Sequence, residues 1–367
     1  LVGRIQLAEG FLPLLIALQN TESGMLVDAV MLHESDVSIV FGFTRTYFHV
    51  DLERVVETVV FLRKILPRKP LSELFTVLGR AKQGKTERYR ELMSHLARSD
   101  DQFMHAPGER GLVMVCFTLP SLDLVFKIIR DQFPPVKNVV RQDVLDKYKF
   151  VFQHDRAGRL VDAQEFKRLR LPLDRFAPAL LEELQTETAA TVHVDGEDLI
   201  FDHVYIERRI TPLNLYLREA PTDLAEKAAL DYGQAIRDLA CSNIFAGDLL
   251  LKNFGVTRHG RVIFYDYDEL CRVTDCRFRE VPVADNDEDD MRAEAWFYVA
   301  ENDVFPEMFV NFLAFDNLQR AAFMRTHGDL LTADFWRSIQ QRTKAGEVLE
   351  VLPYQPRRIR AAGSIVS

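Results

Sequence analysis

The stretch from residue 243 to 270, NIFAGDLLLKNFGVTRHGRVIFYDYDEL, constrains this chain more than any other. Asp248 is followed five positions on by Asn253, and Asp266 comes eighteen positions after Asp248. Between them, FGVTRHGRVIFYD reads as strand, His-Gly turn, strand, a hairpin that returns Asp266 to the side of Asn253. The set offers a carboxamide and a carboxylate as hard oxygens for a divalent cation, and a second carboxylate to meet a hydroxyl. Asp and Asn are also ordinary turn residues, so the spacing gains meaning only from what the rest of the chain supplies.

Upstream, GLVMVCFTL (111–119) and LDLVFKIIRD (122–131) are β-branched and aromatic runs separated by Pro120 and Ser121, which predicts an antiparallel hairpin. Lys127 is an isolated charge in its second strand, and APGERGL (106–112), with Gly108 and Gly111, lies just ahead. Such a lysine either snorkels out of a sheet edge or points at phosphates beneath the glycine-containing loop. A Gly loop, a second-strand lysine, Asp and Asn five apart, a hairpin and a further Asp together make the pattern of a protein-kinase-type ATP site.

A rival phosphate site stands at 79–86, GRAKQGKT, which fits G-x-x-x-x-G-K-[ST] with Gly79, Gly84, Lys85 and Thr86. A phosphate loop of that kind leaves a buried strand and enters a helix. Here Leu71, Leu74, Phe75 and Leu78 carry helical spacing directly into Gly79, so the segment reads as a basic helix–helix connection. Residues 1 to about 100 read as largely helical, interrupted by a β-rich SIVFGFTRTYFHV at 38–50.

At 367 residues and 47% hydrophobic content, the chain is expected to fold as two units. Its formal net charge of −9 argues against a nucleic-acid surface. No apolar run of membrane-spanning length occurs, and the start lacks a signal-peptide cleavage pattern. Cys116, Cys241, Cys271 and Cys276 are too few for a disulfide framework, and the last two have no second pair to complete a zinc site. A reducing cytoplasm is the expected location.

The segments AGDLLLKNFGVTRHGRVIFYDYDEL (246–270), YIERRITPLNLYL (205–217), FGFTRTYFHV (41–50) and DVFPEMF (303–309) resemble the bacterial isocitrate dehydrogenase kinase/phosphatase family, over nearly the whole chain from before residue 38 to about 350. Members of that family are longer at the N-terminus, in keeping with a chain that opens on Leu1. The resemblance implies a bifunctional enzyme that phosphorylates a serine of isocitrate dehydrogenase and removes that phosphate in the same site, so controlling flux between the tricarboxylic acid cycle and the glyoxylate bypass. It implies an α+β fold, a bilobal protein-kinase-like domain preceded by a mainly helical regulatory unit. The boundaries would be 1–100 for the regulatory unit, 101–350 for the catalytic domain with lobes of about 101–205 and 206–350, and 351–367 for a loosely held basic tail.

Carried over by position, the ATP loop is Ala106, Pro107, Gly108, Glu109, Arg110, Gly111 and Leu112, and the phosphate-anchoring lysine is Lys127. Backbone near residues 205–208, around Glu207, would meet adenine. Asp248 would face the substrate serine, Asn253 and Asp266 would hold Mg²⁺, or Mn²⁺ in its place, and Lys252 would approach the transferring phosphate. VDAQEF (161–166) matches the family's phosphatase segment, which gives Asp162. The implied cofactors are ATP and ADP with the metal, with AMP as an allosteric effector near the junction of the two units. The implied partner is isocitrate dehydrogenase, with no nucleic acid and no membrane, and a homodimer is left open.

The chain departs from common kinases in three places. Its loop is Gly-x-x-Gly rather than G-x-G-x-x-G, and Asp266-Tyr267-Asp268 replaces Asp-Phe-Gly. No Glu lies between Lys127 and Glu165, so the lysine's partner is left among Glu165, Asp143, Asp146 and Asp155. Asp268 either tunes the metal or ends an exposed strand, and DNDEDD (285–290) lacks the Gly and Glu of a calcium loop and reads as a solvated acidic segment. Two other classes stay in play: a catalytically inactive kinase-like binding module, and a P-loop NTPase using Gly79 to Thr86. A weak anion-binding role for Lys85 survives beside them.

Overall fold

The computed structural model describes residues 1–22, 24–42, 52–134, 139–282 and 297–354. It opens on a sheet: β1 (Val2–Leu7), β2 (Gly10–Thr21) and β3 (Gly24–Met31) pair antiparallel in sequence order. This corrects the helical expectation for the first third of that unit. FLPLLIALQ is an unbroken apolar block that periodicity cannot assign, and Gly10 and Gly24, at φ 109° and 118°, close the two hairpins. The expected β-rich segment is corrected as well, because Ser38 to Val40 belong to α1 (Glu34–Val40); residues 43–50 lie outside the described residues. Helices α2 (Val55–Ile65), α3 (Leu71–Val77) and α4 (Ala81–Leu96) follow. Leu15, Ala29 and Met31 of the sheet share one core with Leu62, Leu74, Phe75 and Leu78.

GRAKQGKT forms the bend between α3 and α4. Gly79, at φ 75°, caps α3 while Arg80 N–H donates to the Phe75 carbonyl. Gly84 lies inside α4, where an added Cβ would sit 2.2 Å from Thr76 Oγ1 and 2.5 Å from the Ser72 carbonyl oxygen. One glycine ends a helix and the other lets two helices touch.

A six-stranded antiparallel sheet comes next, in the order β4 (Met104–His105), β5 (Met114–Leu119), β6 (Leu122–Ile129), β9 (Asp198–Arg208), β7 (Gln164–Pro172), with β8 (Val192–Asp195) also on β9. The expected hairpin is present as β5 and β6. Alternation sends Phe117, Phe126 and Ile128 into an apolar core with Phe103, Phe176 and Leu180 of α6 (Pro178–Glu187). It sends Cys116 and Lys127 to the opposite face, over α5 (Arg141–His154).

Beyond β9 the chain is mainly helical, with α7 (Leu213–Glu219), α8 (Thr222–Cys241) and later helices Asn317–His327 and Ala333–Lys344. The predicted second hairpin is β11 (Phe254–Val256) and β12 (Val262–Phe264), joined by β10 (Thr211–Pro212) in a small sheet. Arg159, 2% exposed, ties it to α8 by donating to Asp231, Asp238 and the Val262 carbonyl. The N-terminal unit grips β9 through Arg88 to the Ile206 carbonyl and Arg208 to Glu73, at 3.1 and 2.8 Å. Tyr354 returns to donate to Asp28 at 2.8 Å, so the start of the expected tail is held; residues 355–367, like 285–290, lie outside the described residues. No described helix is long and apolar enough to cross a membrane.

Candidate active site

The six-stranded sheet and the helical region face each other across a cleft of about 1090 Å³. Ala106 to Leu112, Lys127, Asp162, Glu207, Asp248, Lys252, Asn253 and Asp266 all line it. The loop 106–112 and Lys127 thus share one cleft with the segment 248–266, which lies more than a hundred residues further along the chain.

Lys127 does not snorkel out; it is 7% exposed. Its Nζ lies 2.7 Å from Glu207 and donates to the Tyr265 carbonyl at 2.8 Å. The partner is thus none of the four acids named from sequence. β6 pairs with β9 so that Lys127 faces Tyr205 and Val125 faces Glu207, which makes Lys127 and Glu207 a diagonal pair on one face. Glu165 is taken by His203 and Lys167, Asp143 by the Val140 N–H at the start of α5, Asp146 by Gln142, and Asp155 by the N–H groups of Ala157 and Gly158. The Glu207 side chain is therefore spent on Lys127, with Tyr148 Oη donating to it at 3.4 Å. Burial alone would lower the Lys127 pKa, but Glu207 foremost, together with Cys116 and Asp266, holds the ammonium above its ordinary value.

Below the lysine, Asp248 Oδ1 accepts from the Leu250 N–H at 2.9 Å, which fixes the carboxylate at the head of its loop. Burial raises its pKa; the Leu250 N–H opposes this, and Glu269 and Asp266 add to it. Asn253 is 5% exposed, and its carbonyl accepts from Tyr265 N–H across the hairpin at 3.1 Å, which places it next to Asp266. Asp248, Asn253, Asp266, Asp268 and Glu269 surround one small acidic recess. Asp268 is therefore half-buried in the cleft and not an exposed strand end.

Asp162 reaches the cleft because Leu160 bridges to Phe264 and Val161 N–H donates to the Phe264 carbonyl. Tyr267 Oη donates to the Val161 carbonyl at 2.7 Å, so the tyrosine inside Asp-Tyr-Asp fastens the Asp162 segment to the Asp266 segment. Above them, the loop 106–112 turns at Gly108, φ 114°. Lys252 meets Glu109 at 2.7 Å, bridging the loop to the floor of the cleft.

Sequence reasoning missed the loop's scaffold. Arg130 Nε donates to the Gly111 carbonyl at 3.2 Å and its Nη2 to Glu183 at 2.7 Å, while Glu183 also meets His105. No local signal marks Glu183, which sits in an ordinary amphipathic helix. By contrast, GRAKQGKT follows a helix and not a strand: the N–H groups of Gly79, Arg80 and Gly84 donate to the carbonyls of Thr76, Phe75 and Arg80, Thr86 Oγ1 donates to the Lys82 carbonyl, and Lys85 Nζ lies 4.7 Å over the Phe166 ring. That geometry does not favour the P-loop assignment.

A cleft that sets an ion-paired lysine over a buried Asn and several carboxylates is built for an anion and a cation held together. Residues 101–356 match the family model for the isocitrate dehydrogenase kinase/phosphatase (AceK) kinase domain, and residues 1–100 match that for the AceK regulatory domain. Curated relatives named isocitrate dehydrogenase kinase/phosphatase include one from Anaeromyxobacter sp. (strain Fw109-5), 53% identical over 97% of this chain and 62% of its own length. One from Anaeromyxobacter dehalogenans is 53% identical over 99% of this chain and 64% of its own, and one from Xanthomonas euvesicatoria is 51% identical over 98% and 62%. The chain belongs to the isocitrate dehydrogenase kinase/phosphatase family. It spans less than two thirds of the length of these relatives.

Proposed function

We propose that this chain carries the catalytic part of a bifunctional serine kinase and phosphatase that acts on isocitrate dehydrogenase with ATP, ADP and Mg²⁺. The observation that carries the reading is the convergence of the Lys127–Glu207 pair with Asp248, Asn253 and Asp266 in one cleft. The relatives' names supply the protein substrate. One apolar core lies on one face of the six-stranded sheet, and a second runs from its other face and α5 into the later helices; on this reading the nucleotide lies in the cleft between sheet and helices, as in a bilobal arrangement. Backbone beyond Glu207, at Arg209 to Thr211, also lines the cleft and suits adenine.

Among the described residues no cage of three or more His, Cys, Asp or Glu side chains exists. Asn253 and Asp266 nevertheless fit Mg²⁺, which keeps waters and takes one or two protein oxygens beside substrate phosphates. When bound, the metal supplies positive charge that neutralises the phosphates during transfer. Lys127 holds phosphate oxygens from the sheet side, and Lys252 can exchange Glu109 for the phosphoryl group in motion. Asp248 orients the serine hydroxyl and accepts its proton. In the reverse direction Asp162 orients a water against phosphoserine. AMP fits the junction where the cleft extends to Lys69, Arg88 and Arg258, cations suited to a phosphate.

The test uses purified isocitrate dehydrogenase, Mg²⁺ and γ-labelled ATP with the wild type, Asp248→Ala and Asp162→Ala. Asp248→Ala is expected to lose transfer and Asp162→Ala chiefly the release of phosphate from pre-phosphorylated substrate with ADP present. Equal loss of both activities in both variants would refute the division of labour, and no transfer by the wild type would refute the reading for this chain.

A further inference from the structure

Cys271 and Cys276 play no part in the chemistry above, yet their sulfurs lie 3.5 Å apart across the turn Val273–Asp275. Both are free and partly exposed, whereas Cys116 and Cys241 lie elsewhere in the fold. Two thiols without a third ligand do not hold a metal, and among the described residues none completes such a set. Paired thiols in van der Waals contact are instead suited to two-electron oxidation, and in reducing compartments such pairs sense or carry redox change. The Cys276 thiol hydrogen-bonds Cys271 and, against the effect of burial, keeps the Cys271 thiol below its ordinary pKa, with Lys147 adding to this.

The pair sits on the mounting of Asp248. Cys271 exchanges both backbone hydrogen bonds with Phe245, at 2.8 and 2.9 Å. Gly247, at φ 76°, packs so closely on Glu269 that an added Cβ would be 2.5 Å from its carbonyl oxygen. On the other side Gln340 Nε2 donates to the carbonyls of Val273 and Cys276, both at 2.7 Å. Drawing the sulfurs from 3.5 Å to a bonded separation of about 2.05 Å is shared between rotation of the two side chains and movement of the turn that the Phe245 pairing and the Gln340 anchor hold.

We propose that Cys271 and Cys276 form a dithiol site that hydrogen peroxide oxidises to an intrachain disulfide, and that its closure displaces the Phe245–Asp248 segment. The Cys271 thiolate attacks one peroxide oxygen; an S–O bond forms, the O–O bond breaks, and the departing hydroxide takes the Cys276 proton and leaves as water. The Cys276 thiolate then attacks the Cys271 sulfenic sulfur; the S–S bond forms, the S–O bond breaks, and hydroxide leaves as a second water with a proton from solvent. The two sulfurs lose two electrons together and the peroxide gains them. A dithiol reductant restores the pair. The thiol chemistry stands apart from the proposed phosphoryl transfer, and only its consequence for Asp248 rests on that reading.

Trypsin cuts after Arg272, so the disulfide is read as a cross-link between peptides 262–272 and 273–277. Peroxide treatment of the whole chain is expected to produce that cross-link, with loss of two hydrogens in intact mass, reversed by dithiothreitol. In Cys276→Ser the cross-link is absent and Cys271 proceeds to sulfinic acid. Equal sulfinic acid in wild type and Cys276→Ser, or a disulfide through Cys116 or Cys241, would overturn the site. Oxidised wild type is expected to phosphorylate isocitrate dehydrogenase about tenfold more slowly, on the scale of a small displacement of a reacting group, and to recover on reduction. A cross-linked chain with an unchanged rate would overturn the coupling to Asp248. If the reduced chain transfers no phosphate, the functional reading fails while the cross-link still decides the site.

Discussion

Replacing Glu207 by Gln removes the charge that accompanies Lys127 while keeping the size of the side chain and one acceptor oxygen. At 2.7 Å and an effective dielectric constant of about 20, the lost attraction is about 6 kcal/mol gross. Burial raises the Glu207 carboxyl, with Lys127 pulling the other way, so the ion pair as a whole contributes little net stability. The damage in the variant comes from a buried ammonium left without its partner, which costs about 3–5 kcal/mol when nothing compensates. Here the Tyr265 carbonyl at 2.8 Å and the Gln oxygen remain, so about 2–3 kcal/mol is expected at pH 7. Urea unfolding monitored by tryptophan fluorescence measures it. Saturating ADP and Mg²⁺ should shrink the deficit, because phosphate oxygens supply the missing negative charge. Phosphoryl transfer should fall by about 10²–10³, the usual cost of one misplaced donor. The double variant Lys127→Met/Glu207→Gln should recover most of the stability and none of the activity. Glu165→Gln, whose pairs with His203 and Lys167 are partly exposed, should cost under about 1 kcal/mol. If Glu207→Gln is as stable and active as wild type while Glu165→Gln is damaged, the pairing derived from the β6–β9 register is wrong.

The raised pKa of Asp248 means that its proton-accepting form is lost at a higher pH than for an ordinary aspartate, so the acid limb of kcat/KM for transfer should lie above about 3.9. Glu269→Gln removes one like charge and should move that limb to lower pH with the rate at pH 7.5 little changed; a fixed or raised limb would refute the electrostatic coupling. Gly84→Ala forces a methyl group against the Ser72 carbonyl and should destabilise the chain by about 1–3 kcal/mol in urea unfolding, whereas Lys85→Ala should leave ATP affinity unchanged by calorimetry. The opposite pattern, a tolerated Gly84→Ala and an ATP-blind Lys85→Ala, would restore the P-loop.

What was legible in the sequence was local. Asn253 and Asp266 flank one hairpin whose turn and alternation are written in consecutive residues, Asp248 lies just ahead of it, and Lys127 sits on another. The sequence around Glu207 points to its backbone and not to its side chain, because the meeting with Lys127 depends on how two strands eighty residues apart register in the sheet. Asp162 came only through resemblance, since its position depends on Leu160 bridging to Phe264. The first thirty residues misled because an apolar block carries no period, and GRAKQGKT because a capping glycine and a packing glycine happened to stand five apart.

The sheet-borne partner also changes how such a site can be controlled. Where a kinase lysine pairs with a glutamate on a mobile helix, swinging the helix breaks the pair and switches the enzyme. Lys127 and Glu207 stand on neighbouring strands joined by backbone hydrogen bonds, so no helix movement can carry one away from the other. Control must then fall on parts that can move without breaking a sheet. Three are visible: the loop 106–112, held to the floor by Glu109 and Lys252; the Asp266 segment, fastened through Tyr267 to Val161; and the Asp248 mounting, which pairs with Cys271. Each is held by side-chain and single backbone contacts, against an entire strand pairing for the lysine. Under the proposed function, a device that favours one reaction over its reverse would act on these, shifting Asp248 against Asp162 while Lys127 stays in place.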